Sequence, residues 1–291
     1  MKTYQERLSG LPVVALLVAT AVALVLLSAA PAVAQAPALP GVGAQDRRAA
    51  VDAAAAPWRS LVKVQTNLGG RCTGVLVAPR RVVTAAHCLL NRAQRFLPAS
   101  SLHVLFGYER GDYRGHRTVA ALAVGGPFDP GRRPAGLARD WAVLTLSGDA
   151  PAGVEPLPLV RVPPGPGTPL MLGGYSQDKA QIITADTACT ALGVAQAGAQ
   201  AGQGSPETLL IHDCNGTRGV SGAALLVRGA DGRGGWGVAG IAVAAQTAAA
   251  PRNIAVPAAV FAEAAEGEAK GGAKEGAAVA GGATAGTPSL R

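Results

Sequence analysis

The sequence predicts an all-β fold finished by one short C-terminal helix. About twelve short β-rich segments recur through the middle of the chain, separated by turns containing Gly and Pro. They occupy roughly residues 57–265, a length that suits one all-β domain and, split into halves of about six strands, a double barrel. The one stretch of helical character, "PAAVFAEAAE" from Pro257 to Glu266, follows the last of them, which argues against an alternating α/β order.

Taken in order, residues 1–34 read as a secretory signal peptide. Lys2 and Arg7 precede the apolar run Leu11–Ala30, and Ala32-Val33-Ala34 has the small-residue form of a cleavage site. The run is also long enough to cross a bilayer, so an uncleaved anchor is the alternative; either way the rest of the chain is exported, and without the anchor no stable membrane association is expected. Residues 35–56 read as an N-terminal extension or propeptide, with Asp46-Arg47-Arg48 as a processing site.

In "SLVKVQT", from Ser60, apolar and polar side chains alternate as in a half-buried strand, and "GVLVAP" and "RVVTAA" meet at the turn Pro79-Arg80. "SLHVLFGY", "RTVAALAV", "WAVLTL", "PLMLGGY", "AQIITAD", "TLLIHD", "AALLVRG", "WGVAGIAVAA" and "NIAVP" follow. The helix places Pro257 at its first position and an apolar face on Val260, Phe261 and Ala264. Residues 266–291 carry almost no large apolar side chain and read as a disordered tail.

The formal net charge is +8, with the basic residues scattered in loops such as "PGRRP". No basic run reads as a nucleic-acid patch, so the charge describes a basic exported protein with mild attraction to anionic surfaces. Four cysteines, Cys72, Cys88, Cys189 and Cys214, are an even set that exported chains form into disulfides, with three possible connectivities. Zinc is the alternative use, but there is no C-x2-C pair or histidine cluster, so no metal is expected; no cofactor motif occurs either.

Three stretches carry candidate chemistry. "VVTAAHCLL" ends a hairpin on His87, where a histidine in a structural hydrogen bond is the plain reading. "RDWAVLTL" sets Asp140 at the start of an apolar strand, where a buried carboxylate needs a partner. "CNGTRGVSGAAL" holds Ser221 in a Gly-x-Ser-Gly tetrapeptide, which also arises as an ordinary turn. In chain order, Thr84-Ala85-Ala86-His87-Cys88, Asp140-x-Ala142-x-Leu144 and Gly219-x-Ser221-Gly222 resemble the T-A-A-H-C, D-x-A-x-L and G-D-S-G motifs of the chymotrypsin-like (trypsin-fold) serine endopeptidases.

The resemblance implies two six-stranded antiparallel β-barrels with a short C-terminal helix, acting as a monomer on peptide or protein substrates. It makes Ser221 the nucleophile, His87 its base and Asp140 the group that orients the imidazole, with the Gly219 and Ser221 N–H groups as oxyanion hole. It pairs Cys72 with Cys88 beside the histidine and leaves Cys189 for Cys214; the sequence around Cys214 is closest to the exported bacterial branch resembling glutamyl endopeptidases. The substrate pocket falls on Asn215 at its base and on Ala242 and Ala245 in the wall strand. A neutral Asn215 offers basic substrates no countercharge, and Ala242 stands where glutamate-preferring relatives carry histidine, so small or uncharged side chains are expected. His212, just before Asp213 and Cys214, is the other histidine with a candidate site role, a structural hydrogen bond being its alternative.

One position departs from the motif. Val220 replaces the aspartate that, in trypsin-like members, captures a newly cut N-terminal amine, and the Ile-Val-Gly-Gly start of that switch is missing too. Two readings follow: an active protease whose oxyanion hole is held by other means, or a catalytically inactive protease-fold binding module of the cell envelope.

Overall fold

The computed structural model describes residues 39–126, 128, 136–197, 207–229 and 234–267. The expected signal segment and the tail beyond residue 267 lie outside them. No helix among the described residues is long and apolar enough to cross a membrane.

The first element is β1 (Ala49–Ala50), a two-residue strand. Six strands then close a barrel: β2 (Leu61–Thr66), β3 (Arg71–Ala78), β4 (Arg81–Thr84), β5 (Leu102–Phe106), β6 (Gly115–Val124) and β7 (Ala142–Leu146), in the order β2-β3-β4-β7-β6-β5. A second six close another: β8 (Pro169–Gly174), β9 (Thr184–Ala197), β10 (Glu207–His212), β11 (Ala224–Arg228), β12 (Trp236–Ala244) and β13 (Asn253–Pro257), in the order β8-β9-β10-β13-β12-β11, with β1 added on β9. All pairings between these strands are antiparallel, as the double barrel requires.

Each barrel has its own apolar filling. Val62, Leu76, Val82, Val104, Phe106 and Leu144 fill the first; Leu170, Leu172, Leu210, Val220 and Leu225 fill the second. A third cluster, with Leu61, Val75 and Val83 from the first barrel and Tyr175, Leu226 and Ile241 from the second, joins them. Each such side chain stabilises the fold by about 1.5–3 kcal/mol, so the barrels are fixed against each other by the same force that fills them.

Three elements differ from the sequence reading. "AQIITAD" supplies only the first residues, 184–186, of a longer strand: β9 continues through Ala197, pairing first with β8 and then with β10. Its second half, residues 191–197, puts its larger apolar side chains, Leu192 and Val194, on the outer face, 36% and 53% exposed. The segment 39–56 is part of the fold. The Gly41 N–H donates to Gln246 O (2.7 Å), Gly216 N–H to Gly41 O (2.9 Å) and Ala44 N–H to Ala249 O (2.9 Å). The Asp46-Arg47-Arg48 stretch, expected as a processing site, lies in ion pairs, with the Arg48 side chain only 1% exposed.

The third is the helix, α1 (Ala258–Glu266), which Pro257 caps rather than enters. It buries Ala258, Phe261, Ala262 and Ala265, an i, i+3, i+4, i+7 face, and leaves Val260 41% exposed. Phe261, fully buried 6.3 Å from the Trp141 ring centroid, sets that rotation. Phe261→Ala is therefore expected to lower the unfolding free energy by about 3–5 kcal/mol in urea denaturation, whereas Val260→Ala changes it by no more than about 0.5 kcal/mol.

Candidate active site

The topology delivers three chain segments to the seam between the barrels. The β3–β4 hairpin ends in a 3-10 turn, Ala86–Leu89, carrying His87; β7 begins just after Asp140; and the β10–β11 connection carries Ser221. Thr84 and Ala142 pair in register, so the chain emerging from β4 passes the one entering β7.

Asp140 is fully buried and faces His87 with both oxygens. Oδ1 accepts the His87 backbone N–H at 2.9 Å and Oδ2 lies 2.7 Å from the ring Nδ1. A carboxylate stripped of water in this way needs such charge-assisted partners, and its second bond fixes the ring plane. His87 and Ser221 line the same two cavities, of about 450 and 460 Å³, which meet at these residues. The Cys72–Cys88 disulfide ties β3 to the histidine turn, and Cys189–Cys214 ties β9 to the start of the loop that carries Ser221.

The loop bearing Ser221 is held across the seam by Thr73 of β3, which is fully buried. Its N–H donates to Ser221 O at 3.0 Å, its hydroxyl donates to Gly219 O at 2.9 Å and accepts the Tyr175 N–H at 2.9 Å, and its carbonyl accepts the Thr84 hydroxyl at 2.7 Å. Gly219 and Gly222 have φ of 91° and 80°, and a Cβ at either would come within 2.4 Å of backbone oxygen, at Tyr175 and Thr73 respectively. Only glycine combines that φ with that approach.

The Gln177 N–H donates to Arg218 O at 2.6 Å. Because a trans peptide points its C=O and N–H in opposite directions, this bond turns the Gly219 N–H away from Gln177. Among the described residues neither the Gly219 nor the Ser221 N–H donates to another protein group.

The loop bearing Gln177 is itself anchored. Arg48 donates bidentately to Asp178 (3.0 and 2.8 Å) and to Asp46 (2.8 Å from both Nε and Nη2), so the N-terminal segment grips the loop next to the Arg218–Gly219 peptide. Hydrogen bonding to Arg48 is the foremost cause holding Asp46 down to about 2 and lowering Asp178 as well. Val220 lies buried in the second barrel's core cluster, where a Cβ on Gly216 would touch its Cγ1, and its N–H donates to Thr217 O at 3.0 Å.

The pocket reading is corrected at its base. Ala242 and Ala245 line the first cavity, but Asn215 does not: its side chain accepts the Gly43 N–H (3.1 Å) and donates to Gln45 O (2.7 Å), drawn away by the N-terminal segment. Asn253 and His212 line the cavity instead. The structural hydrogen bond expected of His212 is absent among the described residues; neither ring nitrogen has a partner, and burial lowers its pKa to about 3. The sequence offered no signal for Asn253, Thr73 or Arg48, whose roles come from contacts with residues far along the chain.

The family described as Trypsin matches residues 46–265. The chain belongs to the trypsin family. This trypsin-family chain is thus a chymotrypsin-like serine-type endopeptidase. It is similar to the solved structure of a Glu endopeptidase in complex with MPD, with a TM-score of 0.60 and 19% identity over 79% of this chain and 100% of that one, a likeness of fold. It is also similar to the Rv3671c protease in an inactive form, with a TM-score of 0.49 and 22% identity over 72% of this chain and 89% of that one.

Asp46 and Asp178 both have pKa values below the ordinary 3.8, so the Arg48 clamp is at full strength above that value and weakens as the pH falls, the Asp46 arm being lost through about 2. Arg48→Met is expected to cost about 3 kcal/mol of unfolding free energy at neutral pH. In urea titrations across pH, the gap between wild type and variant should hold down to about pH 4 and narrow towards pH 2.

Proposed function

We propose that this trypsin-family chain hydrolyses peptide bonds in proteins outside the cytoplasm through an acyl-enzyme on Ser221. The observation that carries the reading is the buried Asp140 carboxylate gripping both the His87 backbone and its Nδ1, with Ser221 lining the same cleft. His87 Nε2 takes the Ser221 proton as Oγ attacks the scissile carbonyl carbon. Asp140 holds the imidazole in the tautomer with Nδ1–H and balances the imidazolium that forms. The carbonyl oxygen becomes an oxyanion between the Gly219 and Ser221 N–H groups, each worth about 3 kcal/mol in the transition state.

His87 then gives the proton to the departing amine. Water, deprotonated by the same ring, attacks the acyl carbon, and collapse of the second tetrahedral intermediate frees the acid and restores Ser221 Oγ–H. Charge at the hole needs no aspartate before the serine in this scheme: Thr73, the Gln177–Arg218 bond and the apolar seat of Val220 hold the loop.

Export is supported by the signal-like N-terminus and the two disulfides, a monomeric protease domain reading as residues 57–265 with the segment 39–56 retained on it. Retention follows from what cleavage after Arg48 would remove: the contacts of Gly41, Gly43, Arg47 and Arg48 with the second barrel's loops.

A fluorophosphonate probe, which reacts with activated serines, tests the reading without a known substrate. Stoichiometric labelling is expected, lost in Ser221→Ala and slowed by about 10⁴-fold or more in His87→Ala and Asp140→Asn. No labelling of folded wild-type protein would turn the reading towards a binding module on the protease fold.

A further inference from the structure

We propose that the cavity on the leaving-group side of Ser221 is a cationic subsite that favours substrates with an aspartate or glutamate one or two positions after the scissile bond. The inference rests on the catalytic reading above. The two cavities share His87, Arg218 and Ser221. Ala242 and Ala245, the expected side-chain pocket of the acyl half, line the first, so a peptide crossing Ser221 sends its other half into the second, past the Cys72–Cys88 bridge.

That second cavity is lined by Lys63, Arg71 and Arg218 and, among the described residues, by no aspartate or glutamate. Arg71 opens β3, two residues before the Thr73 whose N–H binds Ser221 O, so it stands on the strand that borders the nucleophile. Arg218 is exposed and directly precedes Gly219. Lys63 lies deeper, its ammonium 3.4 Å from the Tyr108 ring centroid and donating to Ala180 O at 3.2 Å. Burial, and then the nearby Arg71, lower its pKa to about 8.

Arg71 and Arg218 have no ion pair among the described residues, so their charge is uncompensated where the substrate passes. A carboxylate placed there gains charge-assisted hydrogen bonds and relieves the repulsion between the cations, while a lysine or arginine is repelled. Selectivity of this kind arises from both effects and weakens as salt screens the exposed guanidinium groups.

The test is digestion of a proteome-derived peptide library by the full-length mature protein, with the residues on either side of each cut read by mass spectrometry. Aspartate and glutamate are expected to be enriched roughly fivefold at the first or second position after the cut, and lysine and arginine depleted. The enrichment should shrink in 0.5 M NaCl and vanish in the Arg71→Gln/Arg218→Gln double variant. Equal usage of acidic and neutral residues, or an enrichment that the double variant keeps, overturns the subsite. Fluorophosphonate labelling of the same preparation separates the two readings. A labelled enzyme with flat usage sinks the subsite alone; a preparation that neither labels nor cuts sinks the catalytic reading and the subsite with it.

Discussion

The site depends on one side chain that belongs to neither the histidine turn nor the serine loop. Thr73, on β3 of the first barrel, spends its N–H on Ser221 O and its hydroxyl on Gly219 O and on the Tyr175 N–H, all of which belong to the second barrel. A constellation divided between two barrels is only as exact as the seam between them. Apolar burial sets the barrels together but is nondirectional, whereas these hydrogen bonds fix where the Ser221 loop stands. Gly222 shows how close the fit is, since a Cβ there would come within 2.3 Å of Thr73 O.

Val220 then becomes intelligible. An aspartate at that position has to find a buried cation, an arrangement that costs several kcal/mol in desolvation before attraction offsets it. Valine seats in the second barrel's core without that cost, and the ionic clamp moves outward to Arg48, Asp46 and Asp178, where the acids keep some contact with water. The loop held by Asp178 carries the Gln177 N–H that fixes the Arg218–Gly219 peptide. Through these bonds the N-terminal segment reaches the backbone proposed to receive the oxyanion.

The sequence made the barrels, the terminal helix and the positions of His87, Asp140 and Ser221 legible because each rests on local pattern: alternation, Pro and Gly punctuation, and short motifs. The two disulfides followed from the same resemblance. What stayed hidden depends on contacts between distant residues. Arg48 reads locally as a dibasic cleavage site until Asp178, 130 residues away, is brought to it. Asn215 reads as a pocket base until Gly43 and Gln45 claim its side chain. The second half of β9 turns Leu192 and Val194 outward and only small side chains inward, and Val260 faces outward because Phe261 decides how the helix rolls.

The most direct test of this account is the rate of fluorophosphonate labelling of Thr73→Val, a change that keeps the shape but removes the hydroxyl. The buried Tyr175 N–H and Gly219 C=O lose their partner, which costs about 1–3 kcal/mol in stability. Thr73→Ser, which keeps the hydroxyl, should label at close to the wild-type rate. The account predicts a folded Thr73→Val protein that labels at least about 10-fold more slowly, one misplaced oxyanion donor being worth about 10²–10³ in rate. A folded variant that labels as fast as wild type would contradict it, leaving Thr73 as a packing residue and the loop held by the second barrel alone.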